Sequence, residues 1–382
     1  MKICIIYDCL YPWSIGGAER WYRSLAEALA ARGHQVTFLT LTQWNREEPP
    51  RIAGIKIVPV GPRMALYRRG QRRIFPPLRF GWGVFLHLLR FGNRYDVVHT
   101  ASFPYFSLLA VGATRLLHGF RINCDWHEVW SRDYWRTYLG KAGGEIGWLI
   151  QRLCAHVPQG AYTFSRLHAS RLAAIGVCGS VGILTGEYAA RLMAPTCARA
   201  AEPPVVMYAG RMIPEKRVPL LVEAVAVARR TIPHLRAVIF GDGPERERIR
   251  ERIDALALRD IVELPGVVPE EQLADTMARA LCVVQPSSRE GYGMVVVEAS
   301  AAGVPAIVVA GADNAAVELI EPGRNGFVAS LPDACAVSAA IVQCWRSGAA
   351  LRTATREWFA ENVTRLSLQH SLDQVIDGYG SA

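Results

Sequence analysis

One rhythm constrains this chain more than any other feature. Short runs rich in Val, Ile and other strand formers alternate with longer stretches of helical spacing along the sequence. A parallel crossover needs a helix to carry the chain back, so such alternation builds parallel sheets. In the first half the runs are Ile3–Tyr7, Val36–Leu41, Ile55–Val60, a strand ending at Asp96-Val97-Val98-His99, Arg121–Asp125, Tyr162–Phe164 and Gly182–Leu184. Trp21, Leu25, Ala28 and Leu29 recur at helical spacing, which predicts a helix from Ala18 to about Arg32, stopped by Gly33. A second helix is expected over Leu78–Phe91.

Between Thr185 and Pro204 the apolar runs give way to Gly, Ala, Arg and Pro, which marks a linker. A second series follows. Strands are expected at Val205–Tyr208, Ala237–Phe240, Ile261–Leu264, Leu281–Gln285 and Pro305–Val309, and helices over Pro219–Arg230, Glu245–Leu256 and Met294–Ala302. The length of 382 residues suits two domains. A hydrophobic share of 51% against 20% charged excludes a solvated, disordered chain. The expectation is α/β: two doubly wound, Rossmann-like domains, residues 1–188 and 189–357, facing each other across a cleft. Ligands of such domains sit at the strand C-terminal ends.

The nine cysteines form no Cys-x-x-Cys pair and no zinc-like cluster with His, so they read as buried thiols in a reducing cytoplasm. The N-terminus reaches Asp8 too soon for a signal peptide, and the most apolar window, Met294 to Ala312, is interrupted by Glu298 and Pro305. No transmembrane helix is expected. A formal charge of +9 points to an anionic partner: nucleic acid, an acidic membrane face or a phosphate-bearing small molecule.

The richest segment runs Gln285-Pro286-Ser287-Ser288-Arg289-Glu290-Gly291-Tyr292-Gly293-Met294-Val295-Val296-Val297-Glu298-Ala299. A strand ends, a glycine turn follows and a helix begins near Met294. The glycines let backbone pass close to a ligand, and the new helix offers free N–H groups to phosphate. Glu290 and Glu298 flank that position, and carboxylates accept hydrogen bonds from the hydroxyls of sugar and ribose. The bland alternative is a capped helix with solvated acids. Arg211 and Lys216 follow the first strand of the second half, a surface pair or a diphosphate clamp. Ile15-Gly16-Gly17-Ala18-Glu19 lacks the third glycine of a dinucleotide fingerprint, which disfavours a nicotinamide enzyme. Glu19 reads as a helix residue.

The two glutamates around Gly-Tyr-Gly, followed by Glu-Ala-Ser-Ala-Ala-Gly-Val-Pro, resemble the signature of retaining family-4 glycosyltransferases of the GT-B fold. Gly16-Gly17-Ala18-Glu19, Asp96-Val97-Val98-His99, Tyr208-Ala209-Gly210-Arg211 with Lys216, Phe240-Gly241-Asp242-Gly243-Pro244 and Asn325-Gly326-Phe327 continue it in order. The resemblance implies transfer of a sugar from a UDP- or GDP-linked donor to an acceptor hydroxyl, with retention. It places Arg211, Lys216, Gly16, Gly17 and the Gly291, Tyr292, Gly293, Met294 and Val295 turn around the diphosphate. Glu290 would read sugar hydroxyls, Glu298 the ribose, and main chain near Pro265-Gly266-Val267 the base. His127 would stand beside the transferring centre, and His99, which reads as closing its strand, is a weaker acceptor-side candidate. No Asp-x-Asp pair occurs, so transfer is expected to need no metal and no cofactor. Residues from about 358 to 382 are expected to pack back on the first domain. One departure stands in the linker, where Thr185-Gly186-Glu187-Tyr188 replaces the Asn-Gly-Val-Asp common in relatives.

Between Glu48 and Asp96 no acidic residue interrupts a run of arginines, with Tyr67, Phe75, Phe80 and Trp82 interspersed. The 63–94 region is either a solvated basic loop and an ordinary helix, or a docking face for anionic lipid carrying the acceptor. Saccharide or lipid-linked acceptors in glycan assembly, and a cytoplasmic site peripheral to the inner face of the membrane, are the expectation. Alternatives are glycosylation of a small natural product, a GT-B sugar-nucleotide epimerase or hydrolase, and a basic membrane- or nucleic-acid-binding module. No recognition motif supports nucleic acid.

Overall fold

The computed structural model describes residues 1–14, 16–45, 49–68, 71–189, 197 and 199–380. Ile15, Glu48, Arg69 of the 63–94 region, and residues 190–196 and 198 of the 185–204 linker lie outside them. Two compact units result, Met1–Glu187 with the segment from Leu368 onward, and Tyr188–Ser367.

In the first unit, strands β1 (Lys2–Ile6), β2 (Gln35–Leu41), β3 (Ile55–Gly61), β6 (Val97–Ala101), β7 (Arg121–Trp126), β8 (Gly160–Thr163) and β9 (Val181–Ile183) form one parallel sheet, ordered β3-β2-β1-β6-β7-β8-β9. A two-residue antiparallel pair, β4 (Tyr67–Arg68) and β5 (Gln71–Arg72), lies apart from it. The central strands are buried on both faces: β1 has Ile3, Cys4, Ile5 and Ile6 without exposure, as its unbroken apolar run requires. Each such aliphatic side chain contributes about 1.5–3 kcal/mol. Helix α1 (Gly17–Ala31) buries Trp21, Leu25 and Leu29, and α2 (Phe75–Phe91) buries Phe80, Val84 and Leu88. Helices α3 (Phe106–His118), α4 (Arg132–Ala155) and α5 (Arg166–Ala174) complete the layers and were not anticipated.

His99 corrects an expectation. It lies in the middle of β6, because Thr100 and Ala101 go on pairing with Cys124 and Asp125. The ring has no exposure, so it meets no acceptor at a surface.

In the second unit, β10 (Val205–Ala209), β11 (Arg236–Phe240), β12 (Val262–Gly266), β13 (Cys282–Gln285), β15 (Ala306–Val309) and β17 (Gly326–Ala329) form a parallel sheet ordered β12-β11-β10-β13-β15-β17. Renumbered within the sheet, this is the Rossmann order 3-2-1-4-5-6. A short parallel pair, β14 (Arg289–Glu290) and β16 (Asp313–Asn314), stands at the strand ends. Helices α6 (Val218–Ala228), α7 (Arg246–Ala255), α8 (Glu270–Arg279) and α9 (Met294–Ala301) lie between the strands in sequence. Val222 and Val225 of α6 pack into one core with Ile239, Val284 and Ile341.

Helix α10 (Ala334–Leu366) is long and apolar enough to cross a membrane by length and composition. It is broken at Gly348 (φ 51°), however, and its Val337, Ile341, Cys344 and Leu351 lie in the second unit's core. The chain leaves this helix only at Ser367, whose backbone is extended, so the return to the first unit begins at Leu368 rather than near 358. Tyr188 opens the second unit, bridging to Ser367. Helix α11 (Leu368–Gly378) buries Leu372, Val375 and Ile376, and Gly186 N–H donates to Ser371 Oγ at 3.0 Å. All nine cysteines are free; Cys178 and Cys335 are exposed rather than buried, since both sit where polar loops border a helix or strand.

Candidate functional site

In the second unit the residues picked from the sequence gather at the C-terminal ends of the strands. Beyond β10, Arg211 is exposed and the chain enters a 3-10 turn, Pro214–Lys216. Lys216 Nζ pairs with Glu290 Oε1, which also accepts from Ser287 Oγ at 2.8 Å. The loop carrying Glu290 is clamped to the turn carrying Lys216: Ser288 N–H and Oγ donate to the Glu215 carbonyl at 2.8 and 3.1 Å. Arg289 lies 3.7 Å from the Glu215 carboxylate. Tyr208 links the group, donating to the Arg211 carbonyl at 2.9 Å. Burial first, then the Glu290 charge, raises its phenol far above the usual range, while Arg211 opposes this.

Helix α9 starts at Gly293, whose backbone is left-handed (φ 112°), and no side chain caps it. A Cβ at that position would lie 2.8 Å from Ala316 Cβ, so only glycine fits this turn. Val296 N–H bonds back to the Gly293 carbonyl at 2.9 Å, and the N-cap, being glycine, offers the N–H groups before it no side-chain acceptor. Glu298 is half-buried one turn in, close enough for its charge to help raise the Tyr188 phenol after burial. Val267, just past β12, is 79% exposed. Sequence reasoning missed Asn314. Its buried amide donates to the Ser287 and Val309 carbonyls at 3.2 and 2.8 Å and so supports the Glu290 loop from below. Asn325-Gly326-Phe327 is structural: Asn325 Oδ1 accepts from Glu321 N–H, and Gly326 begins β17 against the Ala306 carbonyl.

In the first unit, Gly16 precedes α1 without a side-chain cap, and Gly17 is its exposed first residue. Glu19 lies in the first turn, its carboxylate turned back over Gly16 and accepting from Ser14 Oγ at 3.2 Å. His127 follows β7. Its ring stacks on Phe164, with centroids 4.6 Å apart and planes 10° apart, and meets Tyr22 edge-on at 5.9 Å. Nε2 is buried without a partner. Burial lowers the pKa of this imidazole despite the opposing charge of Asp125, so it is neutral near pH 7.

Beneath it lies a group the sequence did not disclose. Asp125 has no exposure; its Oδ2 accepts from Trp21 Nε1 at 2.6 Å and stands 2.9 Å from His99 Nε2. The signal that could have found it is a lone acid inside an apolar strand, since such a group demands a partner. Glu187, last residue of the unit, has its carboxyl pushed up to about 8 by burial and the Asp125 charge.

The surface of α2 is also unusual. Phe75, Leu78, Trp82, Leu86 and Leu89 recur at helical spacing and are all exposed, Phe75 at 62% and Trp82 at 56%. Exposed Leu116 and Leu117 end α3, the helix packed against α2. Arg79 and Arg90 lie in α2 itself, and Arg73 and Arg94 flank it. Among the described residues no group of three or more His, Cys, Asp or Glu is placed to hold a metal ion.

Comparison with known proteins gives this geometry a context. Residues 15–177 match the family model for Glycosyltransferase Family 4, and residues 197–362 match that for Glycosyl transferases group 1. A GDP-mannose-dependent alpha-(1-6)-phosphatidylinositol monomannoside mannosyltransferase of Mycolicibacterium smegmatis is 32% identical over 169 residues, 42% of this chain and 44% of that protein. Such matches take in less than half the length of these relatives. Sucrose-phosphate synthase from Thermosynechococcus elongatus superposes with a TM-score of 0.82 at 21% identity, covering 99% of this chain and 98% of that one. Anabaena HepE in complex with UDP-glucose superposes with a TM-score of 0.70 at 16% identity over the whole of both chains. The fold is GT-B, with two Rossmann-like units.

Proposed function

Because the chain belongs to glycosyltransferase family 4, we propose that it transfers a sugar, with retention, from a UDP- or GDP-linked donor to an acceptor hydroxyl in saccharide or lipid-linked glycan assembly. The observation that carries this reading is the uncapped start of α9, standing at a strand end beside the Lys216–Glu290 pair. An amide-lined helix start with an adjacent lysine suits a diphosphate.

On the second unit, Arg211, Lys216 and the Gly291–Val295 backbone hold the diphosphate, Glu298 bonds the ribose, main chain at Val267 meets the base, and Glu290 reads donor hydroxyls. On the first unit, Gly16 and Gly17 bring backbone to the diphosphate and His127 positions the donor sugar. The bond from the anomeric carbon to the diphosphate oxygen breaks, and negative charge grows on that oxygen. Fixed cations and amides stabilise it, which lowers the barrier more than it tightens ground-state binding. The acceptor oxygen then bonds the same face of the anomeric carbon, and its proton passes to the departing diphosphate. With the charge met by Lys216, Arg211 and α9, turnover requires no divalent ion and persists in excess EDTA.

The relatives whose names specify phosphatidylinositol acceptors, together with the exposed apolar stripe and arginines of α2, favour an acceptor at a membrane surface on the cytoplasmic side. A panel of UDP- and GDP-sugars, offered with saccharide and lipid-linked acceptors, tests the reading. Product with the donor's anomeric configuration supports it. Inverted product, an absolute demand for Mn²⁺ or Mg²⁺, or release of free sugar with every acceptor counts against it.

A further inference from the structure

We propose that the first unit holds a second ligand site, a cavity under the end of α2 that takes a phosphate monoester with an apolar body. The site does not rest on the function read above, and it lies at the other end of the sheet. Lys2, Gln35 and Ile55 open β1, β2 and β3, whereas Gly16, Gly17 and His127 come after the far ends of β1 and β7.

The cavity arises where the apolar pattern stops. Strand pairing sets Cys4 beside Thr37, Thr37 beside Lys56 and Leu39 beside Val58, so these side chains share one sheet face. Leu39 and Val58 meet Phe80, Val84 and Leu88 of α2 in a common core. Two residues nearer the strand starts, the same face carries Thr37 and Lys56, with Gln35 and Lys2 beyond, instead of aliphatic side chains. Helix α2 does not seal against them. A cavity of about 850 Å³ remains between these strand starts and His87, Phe91, Arg94 and Tyr95. Small-molecule sites span roughly 300–1,000 Å³ and combine apolar walls with a few converging polar groups.

The charge inside is of one sign. No Asp or Glu lines the cavity, and Lys2, Lys56 and Arg94 do. All three are exposed, and among the described residues no carboxylate pairs with the side chain of any of them. Asp96, next along the chain, is held by main chain, its Oδ2 accepting from Lys2 N–H at 2.7 Å. His87 Nε2 and the Tyr95 hydroxyl lie 2.8 Å apart. Burial, then the charges of Lys56 and Arg94, hold His87 down at about 4, so its ring is neutral near pH 7. Composition sharpens the point. Of 43 cationic residues only Lys2, Lys56, Lys141 and Lys216 are lysine, and two of those line this cavity.

Three cations around an acid-free cavity call for a counter-charge. A phosphate monoester supplies about two negative charges near pH 7, where a carboxylate supplies one. Val36, Val58 and Phe91 give its organic part an apolar wall. Inorganic phosphate would leave that wall wet, and a neutral apolar molecule would leave the cations unmatched. A monoester lipid in a bilayer and a free phosphorylated metabolite share this chemistry.

The test is calorimetric titration of the full chain with octyl phosphate, with and without excess UDP. Octyl phosphate should bind at least about tenfold tighter than inorganic phosphate or octanol. Lys56→Glu and Arg94→Glu should each weaken it about tenfold or more, while Lys141→Gln, away from the cavity, leaves it unchanged. Both reversals fall on exposed positions, and should one variant melt early the other decides. Displacement of the probe by UDP overturns the proposal. So does unchanged affinity in the reversal variants, or inorganic phosphate or octanol binding as tightly as octyl phosphate. Vesicles carrying phosphatidate, set against vesicles carrying phosphatidylglycerol, separate the two sources. A preference for phosphatidate that Lys56→Glu abolishes assigns the ligand to a lipid, and octyl phosphate binding without that preference assigns it to a free metabolite. A chain that transferred no sugar would strike the function proposed above and leave this titration standing.

Discussion

Lys216 and Glu290, one from the turn after β10 and the other from the loop after β13, neutralise each other in the free chain. Both side chains are mostly buried, at 18% and 15% exposed, so neither charge is fully screened by water. Sequence reasoning gave them separate duties, one for phosphate and one for sugar. On the proposed function their pairing would couple the two: an arriving diphosphate would compete for Lys216 and release Glu290, still steadied by Ser287, toward sugar hydroxyls.

The two partners should therefore separate in mutation. Lys216→Ala is expected to lower turnover about 10- to 100-fold, the worth of one charge-assisted hydrogen bond. Glu290→Gln should also lower kcat, yet leave UDP or GDP affinity equal or tighter, because it frees the lysine. Steady-state kinetics with calorimetric titration would read this. Weaker nucleotide binding in Glu290→Gln would break the coupling.

Glu298 should act on the nucleoside and not on the sugar. Glu298→Ala is expected to weaken UDP or GDP binding about tenfold while the preference among donor sugars stays put. Calorimetry checks the first half, and unchanged affinity would remove Glu298 from the ribose role.

Gly293→Ala combines a left-handed backbone with a Cβ placed 2.8 Å from Ala316 Cβ. The expected cost is about 1–3 kcal/mol of stability. Chemical denaturation measures it, and a neutral result would mean that the turn before α9 relaxes freely.

Glu187 gives a pH signature. Its folded pKa, about 8, lies above the ordinary 4.5, so the folded state keeps a proton that the unfolded state has released. Between those values the unfolded chain binds fewer protons, and stability must fall as pH rises from about 5 to about 8. Glu187→Gln should flatten that slope. His127 acts in the opposite sense: its lowered pKa lets the unfolded chain bind the extra proton, so stability is lost as pH falls below about 6.5. Thermal melting of both proteins from pH 5 to 9 reads the difference.

The α2 stripe predicts co-sedimentation with anionic vesicles that weakens with salt and with Trp82→Ser plus Leu86→Ser. Equal binding to neutral vesicles would assign the interaction to apolar contact alone.

What could be read from the sequence follows its physics. Central strands such as β1 and β10 announce themselves by unbroken apolar runs between glycine turns, and the Glu290–Glu298 segment by its turn chemistry. Helix α3 buries Leu108, Val111 and Thr114 on one face but starts at Tyr105 with no side-chain cap to mark it, whereas α4 is capped by Ser131 but broken by Gly140, with buried residues scattered along it. Asp125 could be flagged as a lone acid in an apolar strand, but the partners of the buried group around it could not be read. His99 and Tyr379 are 280 positions apart, and only the folded chain brings them together. Periodicity also fixed the start of α2 too late, since Phe75-Pro76-Pro77 reads as loop until two prolines are seen to occupy its first turn.

Helix α11 belongs to the first unit although all of the second precedes it in sequence. During synthesis, therefore, the strands of the first unit emerge with an unfilled seam beside β6 that cannot close until residues 368–380 have followed. A chain lacking that helix would keep every strand of both sheets and still expose the His99 face to water.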